Sequence, residues 1–195
     1  MTGTAEKLMD LAEIRMREAG YHGFSFRDLA SEMGIKSASV HHHFPTKADM
    51  AAAVARRYLD RFLEVVAPTE GESAENAIAL YRDAFRRSLA QDGGMCLSGM
   101  LGAETGALPS EVAGEIENFF RRAIDDLSRR LGGEDAEARA CTILATLEGA
   151  LILARAYGSI AAFDRAAAGL VSERFDPPHL VSRDVAPVPA TVAAE

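Results

Sequence analysis

Tryptophan is absent from this 195-residue chain, and cysteine occurs only twice. Cys96 and Cys141 stand 45 positions apart, with no CxxC partner for either. That spacing offers no cysteine-built zinc cluster and too few thiols for a disulfide framework, and it fits the reducing cytoplasm. A long uncharged apolar run is missing as well. The most apolar stretch, 140–157, carries Glu148 and Arg155 within it, and the opening MTGTAEKLMDLAEIRM has no basic cluster followed by an apolar segment. Neither a membrane span nor a signal peptide is expected. GxSxG, a P-loop, HExxH and GxGxxG do not occur, nor do the strand patterns that usually carry nucleotide sites. Catalysis is therefore not expected, and neither is a cofactor.

What is present is the profile of a soluble globule, 48% hydrophobic and 26% charged. The net charge of −8 is unevenly spread: residues 1–66 hold nine Lys/Arg and nine Asp/Glu, against twelve and twenty in 67–195. Between His22 and Lys47, Arg27, Lys36 and Lys47 oppose Asp28 and Glu32, with four histidines added. That stretch is the one plausible anion-facing surface.

Helical periodicity begins early. Leu8, Leu11, Ala12, Met16 and Ala19 share one face of a first helix that should stop at Gly20. Ser25, with Asp28 three residues on, opens a second short helix through Phe26, Leu29, Ala30 and Met33, ended by Gly34. A third, over roughly 37–43, buries Val40 and Phe44 and is stopped by Pro45. The fourth starts at Thr46, again with Asp49 three residues on, and runs through Met50, Val54, Tyr58, Phe62 and Val65. Two short helices about a glycine turn form a helix-turn-helix, with Ala30 small at the crossing, Gly34 in the turn and Val40 anchoring the second helix. An ordinary helical hairpin uses the same residue types.

Within this frame lie three consecutive histidines, His41, His42 and His43. Successive helical residues point about 100° apart, so these rings cannot converge on one ion, and no metal site is expected. A helix that buries Val40 and Phe44 must expose most of them, where imidazoles can donate to phosphate or base edges.

The block YHGFSFRDLASEMGIKSASVHHHFPTKADM, with one helix before it and a long one after, resembles the DNA-binding domain of the TetR family of transcriptional regulators over residues 4–66. The resemblance implies a homodimer whose third helix enters the major groove of double-stranded operator DNA, with release by a small-molecule effector bound in a helical C-terminal domain. Family DNA contacts carry over to Arg27, Lys36, Ser37, Ser39, His41, His42, His43 and Lys47. Lys36 stands where many members have Ser, and His41 where they commonly have Tyr, so the operator sequence does not transfer by analogy.

The expected fold is all-α with about nine helices: a three-helix DNA-binding domain over 1–50, a helical effector-binding and dimerisation domain over 51–175, and a proline-rich flexible tail over 176–195. Tyr81, Phe85, Met95, Cys96, Met100, Phe119, Phe120 and Leu147 are the candidates to surround an effector, although a Met and aromatic stripe is more often simply core. GMCLSGMLGAE resembles a segment of one TetR subgroup that includes electrophile sensors, which makes Cys96 an alternative redox sensor. The side of the eighth helix bearing Glu148 and Arg155, with Gly149 and Ala150 leaving room for a backbone, is expected to face the two-fold partner. A helical adaptor without DNA binding is the reading from a different class; it leaves the basic and histidine cluster unexplained.

Overall fold

The computed structural model describes residues 3–92 and 94–171; the expected tail lies outside them. Among the described residues there are nine α-helices and no strand: α1 Thr4–Ala19, α2 Phe26–Glu32, α3 Ser37–His43, α4 Lys47–Val65, α5 Ala74–Asp92, α6 Leu97–Gly102, α7 Ser110–Leu131, α8 Ala136–Tyr157 and α9 Ile160–Ala167.

Local chemistry sets the first four. The Ser25 hydroxyl accepts from the Asp28 amide at the start of α2, and Thr46 and Asp49 form a reciprocal capping box at the start of α4. Gly34, at φ 66°, makes the turn between α2 and α3, and the Ile35 amide closes it on the Ala30 carbonyl at 2.9 Å. Leu8, Ala12 and Met16 of α1 are fully buried, as is Val40 of α3. Ala19, expected on that stripe, is exposed, and Leu11 is only partly buried. Two charged residues, Glu13 and Arg17, are buried on α1 instead. Glu13 pairs with Arg57 and Arg61 of α4.

There are two apolar cores, and they do not divide where the chain does. The N-terminal core gathers α1–α4 but also takes Leu97 and Leu101 of α6 and Val112 and Ile116 of α7. The C-terminal core is built by α5, α7, α8 and α9 around Tyr81, Phe119, Leu127, Leu147 and Phe163. The α4 helix serves both, Met50 to Ala55 in the first and Leu59 in the second. A boundary after residue 50 therefore falls inside a continuous helix. The α8 helix is long and apolar enough to cross a membrane; here one side of it packs against α5, α7 and α9, and its remaining apolar side chains are exposed.

Arginines staple the halves together. Arg17 donates to the carbonyls of Met95 at 2.8 Å, Ser88 at 3.1 Å and Gly94 at 3.3 Å. Arg155 donates to the carbonyls of Arg17 at 3.2 Å and Glu18 at 2.6 Å, in the last turn of α1. Farther away, Arg130 of α7 bonds Glu72, Asp126 and the Val66 carbonyl, while the Tyr81 hydroxyl bonds Asp126.

Because Leu101 fills the N-terminal core from a helix of the other half, Leu101→Ala should cost about 2–5 kcal/mol. Amide exchange should then accelerate in α1 and α4 along with α6. Exchange confined to α6 would show that the two cores are independent.

Candidate nucleic-acid interface

With Val40 as its only buried residue, α3 turns the rest of its surface to solvent. Its exposed residues separate into two flanks. Lys36, Ser39, His42 and His43 line a surface groove of about 510 Å³ with Ile35, Ala38 and Thr4, at the start of α1. Ser37 and His41, one turn apart on α3, lie on the other flank. His41 stacks edge-on against Phe26 of α2, ring centroids 4.8 Å apart, with Nδ1 3.3 Å from the Pro45 carbonyl. The three histidines are thus not equivalent: His41 pins the end of α3 to α2, while His42 and His43 lie edge to face with centroids 5.5 Å apart.

Charge around this surface is sorted by local bonds. Asp28 and Asp49 are engaged with their capping hydroxyls, and Glu32 pairs with Arg15 at 3.1 Å. Arg27 and Lys36 are exposed and, among the described residues, carry no ion pair. Lys47 is placed differently: its ammonium sits 4.7 Å from the Tyr21 ring centroid and 4.6 Å from that of Phe24, and desolvation lowers its pKa. Its position is set by the ring stack, away from the α3 groove. Thr4, at the groove edge, was not among the residues expected from sequence; only its place at the start of the first helix hints at it.

The second candidate feature is a cleft of about 420 Å³ between α6, α7 and α8, lined by Gly99, Gly102, Phe120, Ile124, Cys141, Leu144, Ala145 and Glu148. Of the residues expected around an effector, only Phe120 lines it. Tyr81, Phe119 and Leu147 are fully buried in the C-terminal core, where close packing leaves no space for a ligand. The Met95 carbonyl is bonded by Arg17, and the Met100 sulfur lies 4.0 Å from the Arg155 guanidinium. Phe85 and Cys96 border a void of about 20 Å³, room for no more than a water molecule.

The Cys96 thiol is itself buried, and burial, with the Glu148 carboxylate beside it, pushes its pKa well above the ordinary range. Such a thiol is a poor nucleophile, contrary to what a sensor cysteine needs. Cys141 is the exposed cysteine. Burial also pushes the Glu148 carboxyl up to about 7, while the Cys96 thiol works in the other direction. On this side of α8 the Glu148 carboxylate is turned inward against Gly99 of α6, while Arg155, itself exposed, reaches the carbonyls at the end of α1. On the outward side, Ile152 is 58% exposed and Leu153 43% exposed. There Gly149 has nothing within 4 Å of a built Cβ. Thr142 and Thr146 bond back to their own helix carbonyls at 2.8 Å, so their hydroxyls are already satisfied.

The described residues thus form a helix-turn-helix with an exposed second helix, set on an α-helical bundle with an open cleft. Residues 8–54 match the family described as bacterial regulatory proteins, tetR family, and residues 71–169 match the C-terminal domain described as transcriptional regulator LmrA/YxaF-like. The chain belongs to the TetR family of transcriptional regulators. It is similar to the HTH-type transcriptional repressor KstR2 of Rhodococcus jostii, with 30% identity over 111 residues, 47% of this chain and 54% of that protein. The chain thus spans about half the length of the curated relative it matches. Two solved structures are similar over nearly their whole length. A TetR transcriptional regulator from Legionella pneumophila is 29% identical, covering 87% of this chain and 96% of that one, with a TM-score of 0.82. A TetR-family regulator from Agrobacterium tumefaciens is 26% identical, covering 86% and 95%, with a TM-score of 0.80.

The raised Glu148 carboxyl has a stability consequence. Its folded value of about 7 lies above the ordinary 4.5, so the folded chain keeps a proton that the unfolded chain releases. The associated stability is complete below about 4.5 and is lost as pH rises to about 7, on the order of 3 kcal/mol in all. The difference in stability between the native protein and Glu148→Gln should therefore decline across that window in denaturant melts. A pH-independent difference would mean that the carboxyl titrates as in water.

Proposed function

We propose that the protein is a cytoplasmic repressor that binds operator DNA as a homodimer and is released by a small-molecule effector. The observation that carries this is the exposure of nearly all of α3 around its one buried anchor, Val40. Nothing in folding requires Lys36, Ser39, His42 and His43 to share a groove, whereas a helix laid in the major groove needs such a polar, cationic flank. Arg27 and Lys36 neutralise phosphates, Ser37 and Ser39 approach base edges, and His42 and His43 donate to the backbone from the Thr4 side. His41 and Lys47 act mainly by holding α3 and the start of α4 against Phe26, Tyr21 and Phe24.

The outward face of α8 supplies the dimer. Ile152, Leu153, Ala156 and Tyr157 are exposed there, small residues run alongside them, and a stable pair buries about 1,200–2,000 Å² in total. Two-fold pairing would set the two α3 helices at a half-site spacing of about 34 Å or a multiple. The effector acts through α6. Gly99 and Gly102 form one wall of the cleft, Leu97 and Leu101 lie in the N-terminal core, and the Glu104 carboxylate just beyond accepts the Tyr21 amide at 2.9 Å. Tyr21 in turn supports Lys47 at the head of α4. A shift of α6 is thereby passed to the element that carries α3.

Gel shifts with DNA from upstream of the coding region test the reading. A sequence-dependent complex should form and weaken steeply with salt, and Lys36→Ala should reduce the log–log salt slope by about 1. No such complex at any protein concentration would end the proposal. Leu153→Glu should give folded monomers by sedimentation and lose operator binding; a dimer that still binds would place the interface elsewhere.

A further inference from the structure

Glu148 lies in the middle of the most apolar helix, and both of its carboxylate oxygens are shut off from water, with no N–H or O–H donor among the described residues and only the weakly donating Cys96 thiol beside them. Its stem forms part of the cleft wall. The carboxylate presses on α6 so closely that a Cβ on residue 99 would collide with Oε2, so only glycine there leaves room for it. Tyr58 of α4 and the Cys96 thiol are its polar surroundings, with Arg17 of α1 beyond them. The Ser98 hydroxyl, at the start of α6, is likewise buried without a partner. The rest of the cleft is apolar: Phe120 and Ile124 on one side, Leu144 and Ala145 on the other.

A carboxylate whose only partner is a thiol is costly to bury, and a chain that keeps one beside an open apolar cleft has an acceptor in place for a stronger donor than the protein supplies. An anionic ligand would set like charge against it, and a purely apolar one would leave it unpaired. We infer that the cleft takes an amphiphilic amine, its ammonium seated on the Glu148 carboxylate and its apolar body lying along Phe120, Ile124 and Leu144. This rests on the effector-binding reading above and names the chemical class of effector for that cleft. The ammonium donates to the carboxylate as a charge-assisted hydrogen bond. Because Glu148 abuts Gly99, pairing there repositions α6, the helix that reaches the N-terminal core.

Three probes of matched shape decide it: 4-phenylbutylamine, 4-phenylbutanoate and 4-phenylbutanol, titrated calorimetrically into the full-length protein. The amine should bind at least about tenfold tighter than either of the others, the margin expected for one charged hydrogen bond in a dry site. Glu148→Gln should remove that preference while leaving alcohol binding unchanged. Ala145→Phe, which fills the cleft from an exposed position and leaves the carboxylate alone, should abolish binding of all three. Equal binding of amine and acid overturns the inference, as does an amine preference that survives in folded Glu148→Gln. Gel shifts without probe separate the two readings: operator binding without an amine preference overturns this inference alone, whereas an amine preference without operator binding supports it and removes the regulator mechanism.

Discussion

The junction at the end of α1 holds the molecule in one piece. Arg17 reaches across to the carbonyls of Ser88 in α5 and of Gly94 and Met95 before α6, and Arg155 returns from α8 to the carbonyls of Arg17 and Glu18. The Arg17 guanidinium satisfies backbone acceptors that would otherwise lie unpaired where water is excluded, which makes that contact costly to break; the Arg155 contact lies nearer the surface. Leu97 and Leu101 enter the N-terminal core at the same junction, so the short α6 helix has one face in each half. The element that contributes to both halves at this junction is thus a single helix of six residues.

The DNA-facing surface depends on the same economy of contacts. One valine anchors α3, which leaves the remainder of the helix free for recognition, and the capping bonds at Ser25 and Thr46 occupy the nearby aspartates. Those caps do more than start helices. They fix the Asp28 and Asp49 carboxylates on their own hydroxyls and helix ends, although both keep their charge.

Glu148 is the opposite case, a charge-bearing group to which the fold gives only a thiol as partner. Native interiors pair their buried polar atoms, so a carboxyl this weakly partnered is held toward its protonated form. Cys96, close by and chemically conspicuous in sequence, is quieted by the same burial.

The first four helices, their caps, the Gly34 turn and the exposure of the histidines were legible in the sequence, because each depends on residues within a few positions of one another. Periodicity likewise marked Tyr81, Phe119 and Leu147 as apolar and inward. It could not say whether inward meant core or cleft, since that depends on which helices leave a gap, and the gap opened at Gly99 and Gly102 against Phe120. The run around Glu148 and Arg155 showed two charges in an apolar helix, and sequence spacing placed them correctly on one side. Which way that side faced was decided by partners far away in the chain: a glycine on α6 that admits the carboxylate, and two carbonyls at the end of α1 that receive the guanidinium. Burial of a charged group is a tertiary property, because its cost is offset only by atoms that folding brings from elsewhere.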